Sequence, residues 1–473
     1  MLKSSGSAMY GDASPIAAFA TTPGKSALTL IRCSGKSAIE LLASVFSPPE
    51  KLLQAAGNTV VHGWIVFSGE KTDEVLVSIF RAPKSYTGED SADISCHGGA
   101  AAGKAVMDVL KSAGFRDALP GEFTFRAFVN GKLDFTRSES VMELVSAKTE
   151  TGRRHAVSRL CGSLETEINE IKKMLIQALS GAEIYLDYSE DEISADAEEA
   201  AGMLPNREAA LAALARLKKL SASWQIERIY QEGITVVIAG CPNSGKSSLF
   251  NALLKEDRSI VTEIPGTTRD WIEAWVSIKG IPVRLIDTAG LRETADSVEE
   301  IGVQRSRRLL EEAELVLYLI DGEKGLTGED VEYAKKSDSN LQRSFQHSQS
   351  VFIWNKADIS SAPQPFPIDG VTPVSVSAKT GDGLDELYSA IAGAVQINDE
   401  PAAASLGTER QKKLVDAACF ALDEALALSN NGEPLDLIAP LLREAVNSLG
   451  EITGEVSTAD ILEEMFSRFC VGK

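Results

Sequence analysis

The sequence predicts a mixed fold: an N-terminal α/β domain, an all-α helical domain, and a doubly wound α/β domain inserted into the helical one. Three observations support this prediction. At 473 residues, the chain has room for about three domains. Residues 233–396 alternate apolar strand patterns with helical patterns, which is typical of a doubly wound sheet. Helical periodicity occurs on both sides of that region, so the flanking helices are expected to pair around an insertion.

Residues 1–132 are the expected N-terminal domain. Frequent β-branched residues with partial alternation predict strands at Ala27–Arg32, Thr59–Phe67 and Val75–Arg81, and helical patterns occur at Ser37–Phe46 and Ala100–Ala113. Turn-rich polar loops lie between them, at residues 22–24, 85–90, 97–99 and 120–123. Such loops could bind a ligand, although composition alone favours ordinary surface turns.

Residues 133–232 and 397–473 are expected to form the two parts of the helical domain. The predicted helices are Ser138–Lys148, Ser163–Leu179, Ala200–Ile229, Thr408–Leu428, Pro434–Leu449 and Thr458–Phe466. Residues 430–432 (Asn-Asn-Gly) and Gly450 are predicted to interrupt the last three.

The α/β domain is expected to span residues 233–396. Trp271–Ile278 and Pro282–Ile286 flank a short Gly-containing turn and predict a hairpin, so one strand should be antiparallel. The other predicted strands are Ile234–Ala239, Leu315–Ile320, Val351–Trp354 and Val374–Val376.

Charge and cysteine usage narrow the functional class. The formal net charge of -21 argues mildly against non-specific binding to nucleic acid or to an anionic membrane, because both require positive potential. No apolar run approaches the roughly 18 residues that could span a bilayer. The six cysteines form no C-x-x-C pair, and the N-terminus lacks a secretory signal. We therefore expect a cytoplasmic protein with no membrane partner.

Residues 240–247 read Gly-Cys-Pro-Asn-Ser-Gly-Lys-Ser, between a predicted strand and a predicted helix. In that context, G-x-x-x-x-G-K-S is typical of a phosphate-binding loop. The glycines let backbone N–H groups surround a phosphate chain at a helix N-terminus. Lys246 can reach the β- and γ-phosphates, and the Ser247 hydroxyl can ligate Mg²⁺.

Four further motifs follow in the order of a GTP-binding domain. Residues 265–270 (Pro-Gly-Thr-Thr-Arg-Asp) can supply a threonine to Mg²⁺ and sense the γ-phosphate. In residues 287–290 (Asp-Thr-Ala-Gly), the Asp can hold Mg²⁺ through water and the Gly N–H can meet the γ-phosphate. In residues 355–358 (Asn-Lys-Ala-Asp), Asp358 can accept two hydrogen bonds from guanine N1–H and its exocyclic amine, a donor pair that adenine lacks. Residues 377–379 (Ser-Ala-Lys) can contact the base.

One departure concerns hydrolysis. Many GTPases carry a water-orienting Gln after the Asp-x-x-Gly motif, but here that position is Leu291, which cannot orient water. A different group must do so. Glu299 is a candidate, and Asn243 in the phosphate loop is placed to hold some group, although both also fit solvated surface.

Nearly the whole chain resembles the MnmE (TrmE) family of bacterial tRNA-modification GTPases. The resemblance rests on the GTPase motifs together with residues 22–24, 31–35, 86–90, 97–99, 120–123, 130–134 and the C-terminal Phe-Cys-Val-Gly-Lys of 469–473. It implies a folate-binding N-terminal domain that mediates homodimerisation, and a Ras-like P-loop G domain inserted in the helical domain. It further implies that the G domains dimerise on GTP binding.

The resemblance also implies a reaction. The family acts with an FAD-containing partner, MnmG, in a heterotetramer. It adds a carboxymethylaminomethyl or aminomethyl group to C5 of the wobble uridine of certain tRNAs. The one-carbon unit comes from 5-formyl- or 5,10-methylene-tetrahydrofolate, and GTP hydrolysis is required.

Residue roles carry over by position. The implied K⁺ ligands are Asn243, Thr262, Ile264 and Thr267. The implied Mg²⁺ ligands are Ser247 and Thr268, and the implied catalytic residue is Glu299. The full expected GTP site is Asn243, Ser244, Gly245, Lys246, Ser247, Ser248, Thr262, Ile264, Thr267, Thr268, Asp287, Thr288, Ala289, Gly290, Asn355, Lys356, Asp358, Ser377, Ala378 and Lys379.

Arg32, Lys132 and Lys473 match the family's folate positions, and Asp93 stands where the family typically has Glu, with a reach shorter by one methylene. Cys470 matches a cysteine proposed to take part in modification, with a buried helix-end thiol as the alternative.

Two other functions remain open from the sequence. One is a ribosome-assembly GTPase resembling Era or EngA, which share the loop of residues 265–270, although no second phosphate loop or RNA-binding KH pattern is present. The other is a folate-binding scaffold that GTP switches without turnover.

Overall fold

The structure is a computed structural model. It describes residues 10, 12–22, 24–187, 204–256, 272–287, 313–340, 349–363, 366, 372–395, 404–456, 459–467 and 469–472. The chain divides into two compact units. The first contains residues 1–142, 159–218 and 413–473, and the second contains residues 143–158 and 219–412.

A seven-stranded sheet lies in the first unit, in the order β3-β4-β5-β6-β2-β1-β7. Its strands are β1 (Ile16–Phe19), β2 (Leu28–Ser34), β3 (Phe46–Ser47), β4 (Thr59–Phe67), β5 (Glu70–Phe80), β6 (Ser91–His97) and β7 (Arg116–Asp117). Only β1 and β7 pair in parallel among these strands. This arrangement confirms an α/β N-terminal region and adds β1, β3, β6 and β7, which the sequence did not predict.

Short helices accompany this sheet. They are α1 (Ala38–Ser44), α2 (Pro49–Leu53), α3 (Ala100–Ala113) and α4 (Glu122–Val129). Apolar side chains of α1 and α3 share one core with the strands. The predicted loop at 120–123 is wrong in its second half, because Gly121 takes a left-handed φ of 68° and α4 begins directly after it.

The chain continues through the helices α5 (Phe135–Ser146), α6 (Glu150–Leu160), α7 (Ser163–Asp187) and α8 (Arg207–Glu232). The N-terminus of α5 is capped by Asp134, whose Oδ1 accepts the N–H groups of Thr136 at 2.7 Å and Arg137 at 3.1 Å. α8 begins later than predicted, because Asn206 has a left-handed φ of 56°.

The second unit contains a six-stranded sheet in the order β13-β12-β11-β8-β10-β9. Its strands are β8 (Ile234–Gly240), β9 (Ile272–Ile278), β10 (Ile281–Asp287), β11 (Leu315–Asp321), β12 (Gln349–Asn355) and β13 (Val374–Val376). The helices α9 (Lys246–Glu256), α10 (Gly328–Asn340) and α11 (Leu384–Ala394) follow β8, β11 and β13. β9 and β10 pair antiparallel as predicted, and the other pairs are parallel.

Strand β8 is central to this sheet and is covered on both faces. Val236 and Ile238 belong to one core, and Val237 and Ala239 belong to the other. Successive side chains of a strand point to opposite faces, so two cores on one strand indicate helices on both sides. The prediction of a doubly wound sheet is confirmed.

Helices α12 (Glu409–Asn430), α13 (Leu435–Thr453) and α14 (Ala459–Ser467) follow the α/β sheet. In the first unit, α13 pairs with α7 through Arg443–Glu183, and Lys172 of α7 pairs with Glu455. The helices before and after the α/β sheet therefore pack together, which confirms that the sheet is inserted into a helical domain.

The predicted helix break at Gly450 is wrong. Gly450 is buried inside α13, and the helix ends only at Gly454. Gly454 has a φ of 86° and donates its N–H to the Gly450 carbonyl at 3.0 Å. A left-handed glycine satisfies the last carbonyls of a helix, and Gly450 does not have that conformation.

A buried ion network holds α4 against the first unit's sheet. The Glu122 carboxylate is 0% exposed and accepts hydrogen bonds from Arg116 Nη2 at 2.6 Å, Arg126 Nη2 at 2.8 Å and the Leu119 N–H at 2.9 Å. Burial alone would raise the pKa of Glu122, but these hydrogen bonds outweigh it and lower that pKa. Arg126 also pairs with Glu89 at 3.0 Å. The network therefore fixes the loop of residues 85–90.

We expect Glu122→Ala to lower the free energy of unfolding of the first unit by about 3–5 kcal/mol, because it leaves two guanidinium groups without their buried partner. Urea unfolding followed by circular dichroism measures this change. Glu74→Ala removes an exposed partner of His62 and is the control, with a change within about 0.5 kcal/mol. Equal effects of the two substitutions would contradict the structural role of Glu122.

Candidate functional site

The motif residues of the second unit meet at one edge of its sheet. Asp287 pairs with Ile238 of β8, and Asp321 pairs with Asn355. These residues end or nearly end parallel strands. The crevice beyond the carboxyl ends of such strands is where ligands bind in doubly wound folds. The topology therefore gathers motifs that are far apart in the sequence.

The phosphate loop joins β8 to α9. Lys246 Nζ donates to the carbonyls of Gly240 at 3.0 Å and Cys241 at 2.9 Å. Gly245 has a φ of 94°, and a Cβ there would lie 2.2 Å from Asn355 Nδ2, so only glycine fits. Asn243 is exposed and also left-handed, with a φ of 67°. The Lys246 ammonium group therefore lies within the curve of this loop.

An oxygen pair suited to Mg²⁺ lies beside this loop. Ser247 Oγ donates to Asp287 Oδ2 at 2.8 Å. Asp287 is only 1% exposed. Hydroxyl and carboxylate oxygens are the ligands that Mg²⁺ prefers, so these two side chains fit the expected ion. Ser248 follows on α9 with an exposed side chain.

Asn355 connects the phosphate loop to the predicted base-binding loops. Its Nδ2 donates to the Ser244 carbonyl at 2.8 Å. Its Oδ1 accepts the Ala378 N–H at 3.2 Å. Asn355 is 2% exposed, so both bonds are shielded from water. The buried amide holds two parts of the site at a set separation.

A hydrogen bond between the two predicted base-binding loops positions the Asp358 side chain. Ser377 Oγ donates to Asp358 Oδ1 at 2.7 Å, while the Asp358 side chain remains exposed. One carboxylate oxygen is thus fixed and the other is open to a ligand. Lys379 follows on the exposed side of this loop.

The sequence reasoning missed the partners of Lys356. Its Nζ lies 2.9 Å from Asp321 Oδ1 and 3.0 Å from Glu323 Oε2. Burial would raise the pKa of Asp321, but the hydrogen bond from Lys356 outweighs it and lowers that pKa. The bond to Asp321 in turn raises the pKa of Lys356. A carboxylate at the carboxyl end of the buried strand β11 was the signal that could have identified Asp321.

Several expected site residues lie outside the described part of the chain. They are Thr262, Ile264, Thr267, Thr268, Thr288, Ala289, Gly290 and Glu299, together with Leu291 and Lys473.

Arg32 and Asp93 lie together in the first unit, across the β2–β6 pair. Arg32 Nε donates to Asp93 Oδ1 at 2.9 Å, and Nη2 donates to Oδ2 at 3.2 Å. Burial would lower the pKa of Arg32, but the Asp93 carboxylate outweighs it and raises that pKa. The guanidinium also lies 5.7 Å from the Tyr86 ring centroid and 6.0 Å from that of Phe123. Two predicted folate residues thus share one half-buried, aromatic-lined position.

Lys132 lies beside the loop of residues 85–90, which contains Tyr86. Its Nζ donates to the Pro83 carbonyl at 3.0 Å, and its side chain is exposed. Gly88 has a φ of 79°, and a Cβ there would lie 3.4 Å from Lys132 Cγ. The loop of residues 85–90 therefore contacts Arg32 through Tyr86 and lies beside Lys132 at Gly88.

The C-terminal segment packs onto the first unit beside α4. Phe466 and Phe469 share a core with Tyr10, Phe125 and Phe135, among others. The Gly121 N–H donates to the Cys470 carbonyl at 3.4 Å. The Cys470 side chain is exposed, so the alternative of a buried thiol is wrong.

Comparisons with known proteins agree along the chain. A family model described as "GTP-binding protein TrmE N-terminus" matches residues 15–132, and one described as "MnmE helical domain" matches residues 135–470. The tRNA modification GTPase MnmE of Treponema denticola is 42% identical over 98% of this chain and 99% of its own length. The protein of that name from Borrelia recurrentis is 40% identical over 97% of this chain and 98% of its own length. The protein of that name from Carboxydothermus hydrogenoformans is 39% identical over 97% of this chain and 99% of its own length.

A solved structure of Aquifex aeolicus Era bound to GDP and AlF4⁻ is 27% identical and covers 40% of this chain and 66% of that one, with a TM-score of 0.27. Within the ranges that the structure describes, no helix has the length and apolarity needed to cross a membrane.

Proposed function

This chain belongs to the MnmE family of tRNA modification GTPases, and from that premise we propose its reaction. It hydrolyses GTP to drive, with an FAD-containing MnmG-type partner, the addition of a carboxymethylaminomethyl or aminomethyl group to C5 of the wobble uridine of certain tRNAs. A tetrahydrofolate derivative supplies the one-carbon unit. The observation that carries this proposal is similarity to MnmE proteins along nearly the full chain rather than along the G domain alone.

Each proposed domain has its own task. Residues 1–132 bind folate and hold the homodimer together, and residues 233–396 are the G domain. Residues 133–232 and 397–473 form the helical domain. The family match across residues 15–132 and 135–470 supports this division.

The contacts within the described part of the GTP site support distinct roles for its residues. Lys246 reaches the β- and γ-phosphates, Ser247 and Thr268 hold Mg²⁺, and Asp358 accepts hydrogen bonds from guanine. Asn355 does not need to touch the nucleotide, because its bonds to the Ser244 carbonyl and the Ala378 N–H fix the distance between phosphate loop and base loop. Lys356, in the base-binding loop of residues 355–358, is held in place by its hydrogen bond to Asp321.

We propose that hydrolysis depends on a K⁺ ion, held by Asn243 and Thr267 with the backbone of Thr262 and Ile264. A bound K⁺ would supply positive charge beside the phosphates, the role that an arginine finger has in other GTPases. The left-handed, solvent-facing Asn243 fits this assignment because its side chain is free to face the nucleotide side of the loop. The G domains come together on GTP binding to complete the site.

GTP turnover is expected to be at least about tenfold faster in KCl than in NaCl at equal ionic strength, since removal of one preorganised positive group from a phosphoryl-transfer site has effects of this size or larger. Phosphate release measures the rate. Asn243→Ala should remove the preference, while Asn447→Ala, an exposed change on α13, should keep it. Equal rates of the unmodified protein in both salts would reject the K⁺ site.

We propose that folate binds beside the pair formed by Arg32 and Asp93. The exposed Tyr86 ring near the guanidinium offers apolar surface to a flat heterocycle, and the guanidinium offers donors to its oxygen atoms. Lys132 and Lys473 add positive charge for the acidic tail of the cofactor. Cys470, which is exposed next to the start of α4, is proposed to take part in the modification chemistry.

Arg32→Ala is expected to weaken the binding of 5-formyl-tetrahydrofolate about 10–100-fold, the loss of one charged hydrogen-bonding group. Titration calorimetry with the purified protein measures the affinity. Arg443→Ala removes an exposed arginine paired with Glu183 and should bind folate normally. Undiminished binding by Arg32→Ala would place the folate site elsewhere.

The combined reaction is tested by reconstitution. The purified chain is incubated with an MnmG-type partner, unmodified tRNA, GTP, methylene-tetrahydrofolate and either glycine or ammonium. Mass spectrometry then identifies the wobble nucleosides. The proposal expects a C5-modified uridine only when both proteins, GTP and folate are present. Product formation without the chain or without GTP would overturn it.

A further inference from the structure

The first variable residue of the phosphate loop, Cys241, contacts the start of α10. Its Sγ lies 3.4 Å from Asp330 Oδ1, 3.4 Å from Glu329 Oε2 and 3.7 Å from Thr327 Oγ1. The G-x-x-x-x-G-K-S motif places no chemical demand on this position. The contacts therefore identify a feature of this chain that the nucleotide motifs do not explain.

Asp330 is a fixed acceptor for the thiol. It is 1% exposed, and its Oδ2 accepts the Thr327 N–H at 2.8 Å and the Thr327 hydroxyl at 2.7 Å. Its Oδ1 accepts the Tyr318 hydroxyl at 3.0 Å. A carboxylate can only accept, so Cys241 contributes the S–H donor of this contact. Partial burial, reinforced by Asp330, raises the pKa of the Cys241 thiol, which keeps that proton in place.

The backbone of Cys241 in turn holds the phosphate-binding lysine. Its carbonyl accepts from Lys246 Nζ at 2.9 Å, beside the Gly240 carbonyl at 3.0 Å. The Cys241 carbonyl also accepts the Ser244 N–H at 3.3 Å. The position of residue 241 therefore sets both the position of the ammonium group and the curvature of the loop.

We propose that Cys241 is a positioning residue for GTP binding: its thiol, held by Asp330, orients the carbonyl that keeps the Lys246 ammonium ready for the β- and γ-phosphates. The inference rests on the proposed role of Lys246 and adds a residue that acts through it. Loss of the thiol removes the contact between residue 241 and the start of α10. A serine in its place retains an O–H donor and the link.

The test is GTP affinity of the full-length chain, measured with a fluorescent GTP analogue in Mg²⁺ and KCl. Cys241→Ala is expected to weaken binding about three- to tenfold, the range for one lost hydrogen bond. Cys241→Ser should restore most of the affinity. Cys161→Ala removes an exposed cysteine outside the second unit and should change nothing.

A double substitution separates positioning from a merely structural role. If Cys241 acts through Lys246, then Cys241→Ala has no further effect on affinity in a Lys246→Ala background. A Cys241→Ala protein that binds GTP like the unmodified protein would overturn the inference, and so would an effect of unchanged size in the Lys246→Ala background. If Lys246→Ala itself leaves affinity unchanged, the proposed phosphate site is wrong and the inference falls with it.

Discussion

Asp358→Asn is expected to lower the affinity for GTP by about 10²–10⁴-fold. Asp358 is proposed to accept two hydrogen bonds from guanine, and a hydrogen bond to a charged group contributes about 1.5–3 kcal/mol. The structure supports this role because Ser377 Oγ fixes one carboxylate oxygen at 2.7 Å and leaves the exposed side chain facing solvent. An amide in this position presents one acceptor and one donor, so its donor faces the exocyclic amine of guanine.

The same substitution should favour xanthine. Xanthine carries a carbonyl where guanine has the exocyclic amine, so the new amide can accept from N1–H and donate to that carbonyl. Competition between GTP and XTP for a fluorescent nucleotide measures the change in preference. Asp385→Asn, an exposed change in the first turn of α11, is the control. If Asp358→Asn binds GTP as tightly as the unmodified protein, the base lies elsewhere.

Glu299→Ala is expected to retain GTP binding but to lose hydrolysis by about 10²–10⁴-fold, the usual contribution of a positioned acid or base. At Leu291 the sequence has no Gln to orient the attacking water. We propose that Glu299 takes this role and acts on the water indirectly, as the family resemblance implies. Because ground-state contacts to the nucleotide are unchanged, kcat falls while affinity does not.

Single-turnover phosphate release and nucleotide titration on the same protein separate these two quantities. Glu300→Ala removes the adjacent carboxylate of the same acidic run and should hydrolyse GTP normally. Normal turnover by Glu299→Ala would remove Glu299 from the mechanism. Loss of binding would mean that the residue supports the nucleotide site rather than the chemistry.

Elements with a strong local pattern were predictable from the sequence. The helix Ala100–Ala113 and the β9–β10 hairpin occur as predicted, within a residue or two at their ends. Strand β6 was missed because small and polar residues alternate with only a few apolar ones, yet it is a central strand between β5 and β2. Gly450 looked like a helix break, although only Gly454 has the left-handed backbone that ends the helix.

Long-range pairs were harder to predict for a physical reason. Asn355 contacts the phosphate loop across 111 residues, and Arg32 contacts Asp93 across 61. No local periodicity encodes such contacts, because they depend on strand order. Motif chemistry predicted that Asp358 and Lys246 serve one nucleotide, but it could not predict that Asn355 connects their loops or that Asp330 holds Cys241.

The most direct test of the proposed function is mass spectrometry of wobble nucleosides in tRNA from cells that lack this chain. The proposal predicts that carboxymethylaminomethyl and aminomethyl groups at C5 of the wobble uridine disappear. They should return with a plasmid copy of the unmodified gene and stay absent with Glu299→Ala. Unchanged levels of these C5-modified uridines in cells without the chain would contradict its proposed role in tRNA modification.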